Sequence, residues 1–165
     1  PTTTVGVFFR DASLGSKIDY YLETEATVTS ACAADGTVTY TVDVTVWLDL
    51  SKAQAQKLPE YVTGGPLENK TFRTQVFIYG PPGTEVAEVR RPKSTKKAWN
   101  WRPPDMHDLG RPVPSFMTVN PLGGGKVTVG ATFVGTPGEV GPLEVRTTPM
   151  VRPTRVTTDD ACGAR

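Results

Sequence analysis

Few residues in this chain combine a reactive or ligand-gripping side chain with a suggestive neighbourhood. His107, the single histidine, lies in Asp105-Met106-His107-Asp108. An imidazole among carboxylates can act as a general base or a metal ligand only if the fold brings further groups to it. In a proline-rich stretch it reads first as a solvated loop residue, so a hydrolase using His107 with Asp105 or Asp108 is the weakest functional reading. No nucleophile elbow, phosphate-binding glycine loop or paired-cysteine metal motif occurs, and Gly123-Gly124-Gly125 lacks a following lysine-serine pair. The residues therefore predict no enzyme, no metal and no cofactor.

The most suggestive patch is Arg90, Arg91, Lys93, Lys96, Lys97 and Arg102, interleaved with Trp99 and Trp101. Indole faces stack on sugars or bases, and cations attract an anionic polymer. As a ligand site, Trp99, Trp101, Arg91, Lys96, Lys97 and Arg102 suit a cell-wall or other acidic glycan. Structurally, the same stretch is a solvated hairpin tip whose tryptophans fold back on a sheet. The formal net charge is only +1, which gives no general reason to expect nucleic acid or a membrane surface as partner. Trp47, on the polar face of its strand and diagonal to Tyr21, is expected under a helix or against a neighbouring subunit. Cys32 and Cys162 match no metal spacing and are either free thiols or one long-range bridge. Asn69-Lys70-Thr71 fits the glycosylation acceptor pattern, a match that would mean nothing if the chain were bacterial.

The element that must position all of these runs from Ile18 to Leu50. Val38, Tyr40, Val42, Val44, Val46, Leu48 and Leu50 are apolar, and between them stand Thr39, Thr41, Asp43, Thr45, Trp47 and Asp49. A period of two rich in β-branched residues is a strand with one buried face. Ile18, Tyr20, Leu22, Ala26, Val28 and Cys32 answer it as the other arm of a hairpin. A two-residue loop at Asp35-Gly36 would set Val46 opposite Glu25 and Leu48 opposite Glu23, with carboxylates in the core. A three-residue loop, Ala34-Asp35-Gly36, pairs Val42 with Val28, Val44 with Ala26, Leu48 with Leu22 and Leu50 with Tyr20. That register is the one predicted. Arms of up to ~40 Å are expected to bend or bulge, and to serve two sheets.

Elsewhere the chain reads as short strands between Gly- and Pro-rich turns. Strands are expected at Val5 to Phe9, Thr71 to Tyr79, Thr84 to Arg91, Ala98 to Arg102, Ser115 to Val119, Lys126 to Val134 and Leu143 to Val151. Ser51-Lys52-Ala53-Gln54 has the form of a capping box, predicting one short helix near residues 51–58 that Pro59 stops, before an irregular connection from Leu58 to Pro66. The segment Pro103 to Pro114 is loop by composition. About nine strands with little helix predict an all-β, antiparallel two-sheet sandwich, Ig-like or related, although the cysteine-tryptophan-cysteine spacing of immunoglobulins is absent. One domain over residues 1–151 and a polar C-terminal tail over 152–165 are expected. No run approaches the ~20 apolar residues of a membrane span. The start at Pro1, without methionine, suggests a processed product or a piece of a larger protein.

Four blocks carry a family resemblance: Val5-Gly6-Val7-Phe8-Phe9-Arg10-Asp11, Gly15-Ser16-Lys17-Ile18-Asp19-Tyr20-Tyr21-Leu22, Leu58-Pro59-Glu60-Tyr61-Val62-Thr63-Gly64 and Pro142-Leu143-Glu144-Val145-Arg146-Thr147-Thr148-Pro149. Together they resemble the C-terminal part of a family of actinobacterial envelope proteins that have an N-terminal transmembrane helix and a large extracytoplasmic region. The resemblance implies export, which favours a Cys32–Cys162 disulfide, and implies attachment to the membrane only through a segment absent from this chain. It brings no catalytic residue. The expected function is a non-catalytic envelope module for adhesion, scaffolding or binding, with a cell-wall glycan or an envelope protein as partner.

Overall fold

Alternating valine, threonine and aromatic residues make strands and little else, and the computed structural model follows that rule over residues 3–13, 15–65, 71–92, 107–138 and 140–163, the ones it describes. In chain order the elements are β1 (Thr3–Asp11), a 3-10 turn (Ile18–Tyr21), β2 (Leu22–Cys32), β3 (Val38–Leu48), α1 (Lys52–Ala55) and α2 (Glu60–Thr63). There follow β4 (Thr71–Tyr79), β5 (Thr84–Arg90), β6 (His107–Asp108), β7 (Arg111–Pro112), β8 (Ser115–Pro121), β9 (Val127–Gly135), β10 (Leu143–Thr147) and β11 (Arg155–Asp160). One sheet has the order β10-β1-β4-β8 and the other β11-β2-β3-β9-β5, with β6-β7 a small separate ribbon. The inward faces meet in a core that includes the fully buried Val7, Val28, Val44, Ile78, Val129 and Phe133. The protein is an all-β sandwich.

The hairpin adopts the predicted register. Leu22 faces Leu48, Ala26 faces Val44 and Val28 faces Val42. Gly36 closes the three-residue loop at φ 85°, a conformation that side chains with a Cβ resist. Two expectations fail here. Ile18–Tyr21 turns as a 3-10 segment instead of continuing the arm, so Ile18 is buried and Tyr20 points out, 56% exposed, instead of facing Leu50. The arms also stay within the five-stranded sheet without a register shift; the one irregularity in that sheet falls in β5, between Val86 and Glu88.

The capping box forms as written. The Ser51 hydroxyl accepts from the Gln54 amide, and the Gln54 side chain accepts from the Ser51 amide. Ser51→Ala should cost about 1 kcal/mol of stability, measurable by urea unfolding, because it orphans an amide of a helix one turn long. Where an irregular connection was expected after Pro59, that proline instead starts the second short helix, α2. The Pro-rich loop also holds more order than its composition suggests. Pro112, Val113 and Pro114 are buried, because the carbonyls of Pro112 and Pro114 accept from Gly80 and Ile78. A proline has no amide to satisfy on the other side, so this edge position suits it.

The largest correction concerns residues 152–165. The expected polar tail supplies β11, which runs parallel to β2 from Arg155↔Glu25 to Asp160↔Ser30. Strand β10 likewise runs parallel to β1, from Thr3↔Leu143 to Val7↔Thr147. Neither sheet is therefore wholly antiparallel: the end of the chain lays one parallel strand along the edge of each.

Candidate functional site

Of the predicted patch, Trp99, Trp101, Lys93, Lys96, Lys97 and Arg102 lie outside the described residues, and so do Asp105 and the Asn69-Lys70 pair. Arg91 is exposed just after β5. Arg90 is committed elsewhere. It lies across β9 to the outer face of β3, where its Nε and one terminal nitrogen each donate to Asp43 at 3.0 Å, while the other terminal nitrogen reaches Thr132 at 2.8 Å. A charge counted as part of a ligand patch is thus a strut within the sheet.

His107 is exposed in β6, and Asp108, the next residue of that strand, points to the opposite side. The Tyr79 hydroxyl donates to Asp108 at 3.1 Å. Burial, and then this bond, raise the Tyr79 phenol above its ordinary pKa. Asp108 is thus engaged by Tyr79, while Asp105, the other carboxylate of the hydrolase reading, lies outside the described residues. Clefts among the described residues include the following two. One, of about 570 Å³, lies at the hairpin tip beside Cys32, Ala34, Gly36, Val38 and Cys162, and its described lining carries no ionisable group. The other, of about 280 Å³, lies between Ser13, Ser16, Ile18, Thr63 and Arg73.

Above Trp47 stand two cations. The Lys126 ammonium lies 4.2 Å from the ring centroid and the Arg155 guanidinium 4.8 Å. Arg155 also donates to Glu23 at 3.1 Å, and Arg152 donates to Glu23 at 2.6 Å and to Asp49 at 2.8 Å. Trp47 therefore belongs to a closed net of charges on the outer face of the five-stranded sheet, with its ring already covered. Arg152 and Arg155 gave no sign of this role in the sequence, because nothing local announces which distant carboxylate an arginine will meet.

The two cysteines are bridged, with Cα atoms 5.6 Å apart and a separation of 130 in sequence. Beside the bridge, Asp160 ties the two sheets together. Its carboxylate accepts from the Ser30 hydroxyl of β2 at 2.7 Å, from the Leu143 amide of β10 at 2.9 Å and from the Gly163 amide at 2.9 Å. Burial alone would raise the pKa of Asp160. The bonds from Leu143, Ser30, Gly163 and Cys162 outweigh it and hold the carboxyl below its ordinary value. A carboxyl depressed in the folded state contributes stability that is whole above the unfolded pKa, about 4, and is lost as pH falls through the folded value. Unfolding followed from pH 6 to pH 2 should show this loss at the acid end, and Asp160→Asn should flatten that limb of the profile.

No protein-family model matches this sequence, and no curated protein or solved structure is similar enough to be matched.

Proposed function

We propose that the chain is a non-catalytic β-sandwich module of an extracytoplasmic, membrane-anchored envelope protein, acting by binding or scaffolding. The Cys32–Cys162 bridge is the observation that carries this reading. It joins the tip of the central hairpin to the end of the chain, and such bridges persist in oxidising compartments. The resemblance to actinobacterial envelope proteins supports the same placement. No described helix is long and apolar enough to cross a membrane, and in this reading attachment comes from a segment outside this sequence.

The test is to denature and alkylate the protein straight from the cells that make it, while assaying envelope and cytosolic fractions. The expected result is no alkylated cysteine until reductant is added, with the protein in the envelope fraction. Two free thiols on a cytosolic protein would overturn the reading.

A further inference from the structure

The two outer faces of the sandwich differ in how their charges are satisfied. On the five-stranded sheet, Glu23, Asp49, Arg152 and Arg155 neutralise one another, as do Asp43 and Arg90. The arginines named there all have carboxylate partners.

On the four-stranded sheet, register sets Phe8 beside Phe77, then Arg10 beside Gln75 and Met117, then Arg73 beside Val119. Their inward neighbours Val7, Phe72, Val76 and Phe116 fill the core, so these residues look outward. Phe8 is 37% exposed and Met117 40%. Phe8 folds its ring over Gly6, edge-on to Tyr79 at 5.2 Å. Arg10 and Arg73 are exposed and have no ion-pair partner among the described residues. Between them, Gln75 is only 8% exposed, and its side-chain oxygen has no donor among the described residues. The carboxylates of this face are engaged: Glu144 pairs with Arg146 at 2.8 Å and Asp108 accepts from Tyr79.

From this combination we infer that the outer face of the four-stranded sheet is a docking surface for an acidic protein segment carrying apolar side chains. The inference rests on the binding-module reading and names its partner. Exposed Phe8 and Met117 beside half-buried Phe77 and Val119 offer apolar contact. Arg10 and Arg73 supply positive charge that lacks its complement. The Gln75 oxygen supplies an acceptor for a backbone amide, reached when the long Arg10 and Met117 side chains rotate aside. A second copy of the same face would bring these arginines against each other, so self-pairing is disfavoured. An acidic polysaccharide would satisfy the arginines but leave the apolar row without its match.

The experiment titrates the oxidised protein with a labelled random copolymer of glutamate and tyrosine, with polyglutamate and with polygalacturonate. The copolymer should bind more tightly than either of the others. Arg10→Glu with Arg73→Glu should weaken it by about tenfold or more, and Phe8→Ser with Met117→Ser should abolish the preference over polyglutamate. Lys126→Glu with Arg155→Glu, on the opposite sheet, should change nothing. Near-UV circular dichroism checks folding; if the charge reversals unfold the chain, Arg10→Gln with Arg73→Gln carries the same test with a smaller drop. Failure of the copolymer to bind, equal weakening by the opposite-face pair, or polygalacturonate binding as tightly as the copolymer overturns the inference. None of these results bears on whether the cysteines are oxidised in the cell, so the compartment reading stands or falls separately.

Discussion

Replacing Cys32 and Cys162 together by alanine is expected to lower the unfolding free energy by about 3–5 kcal/mol, or the melting temperature by roughly 10 °C. The bridge closes a loop of 130 residues, and the chain entropy removed from the unfolded state grows with the logarithm of loop length. A loop of that size stands near the upper end of what a disulfide contributes. The folded state has little with which to replace it. Residues Arg155 to Asp159 of β11 are exposed, with Val156 41% accessible, so docking this strand buries little apolar surface. What remains is the parallel ladder to β2, the Glu23 ion pairs and the Asp160 hydrogen bonds. Hydrogen exchange in the variant should therefore accelerate first across residues 155–163, while Val42 to Val46 of the central hairpin stay protected. Urea unfolding measures the total. A loss under about 1 kcal/mol would mean that the non-covalent contacts alone hold the end of the chain.

The second large effect lies on β9, close to the same end of the sheet. Phe133 is fully buried between Tyr40 of β3 and Val86 of β5, and its ring lies against the backbone of Gly80. Phe133→Ala should cost about 3–5 kcal/mol, since it removes a large apolar side chain from a site that neighbouring strands hold open. Gly80→Ala should cost about 1–3 kcal/mol for the opposite reason: its methyl group would overlap the Phe133 ring, which has no room to withdraw. Combining Gly80→Ala with Phe133→Leu tests the contact. The smaller side chain makes room for the methyl group, so the pair should be less damaging than the sum of the two single changes, by about 1–2 kcal/mol in a double-mutant cycle. Strict additivity would show that the ring and the glycine do not constrain each other.

Local chemistry was legible where the partner lies close in sequence or where two independent patterns must agree. The capping box at Ser51 and Gln54 needs only four residues, and it forms. The hairpin register needed both arms, yet only one pairing kept Glu23 and Glu25 off the buried face, and that pairing forms. Tyr20 misled because it continues the arm's alternation of side chains, while Ile18 needed burial more and the backbone turned to supply it. Strand β11 was invisible for a different reason. Arg155-Val156-Thr157-Thr158-Asp159-Asp160 has no apolar alternation, because an edge strand open on both faces has no buried side to declare itself.

The candidate surfaces were legible in part only. Phe8, Phe77 and Met117 each read as ordinary apolar strand residues, and alternation alone does not say which face of an inner strand meets the other sheet. Their outward placement follows from β4 burying Phe72, Val76 and Ile78 instead.

What the residues determined by themselves was the class of fold, the central hairpin with its register and the first short helix, because alternation and capping act over a few positions. Tertiary structure alone decided the parallel edge strands, the closed bridge, the net around Trp47 and the placing of Arg10 and Arg73 on the same outer face as Phe8. Each of these depends on groups far apart in the chain, and which of them meet is settled only when two whole sheets choose how to stack.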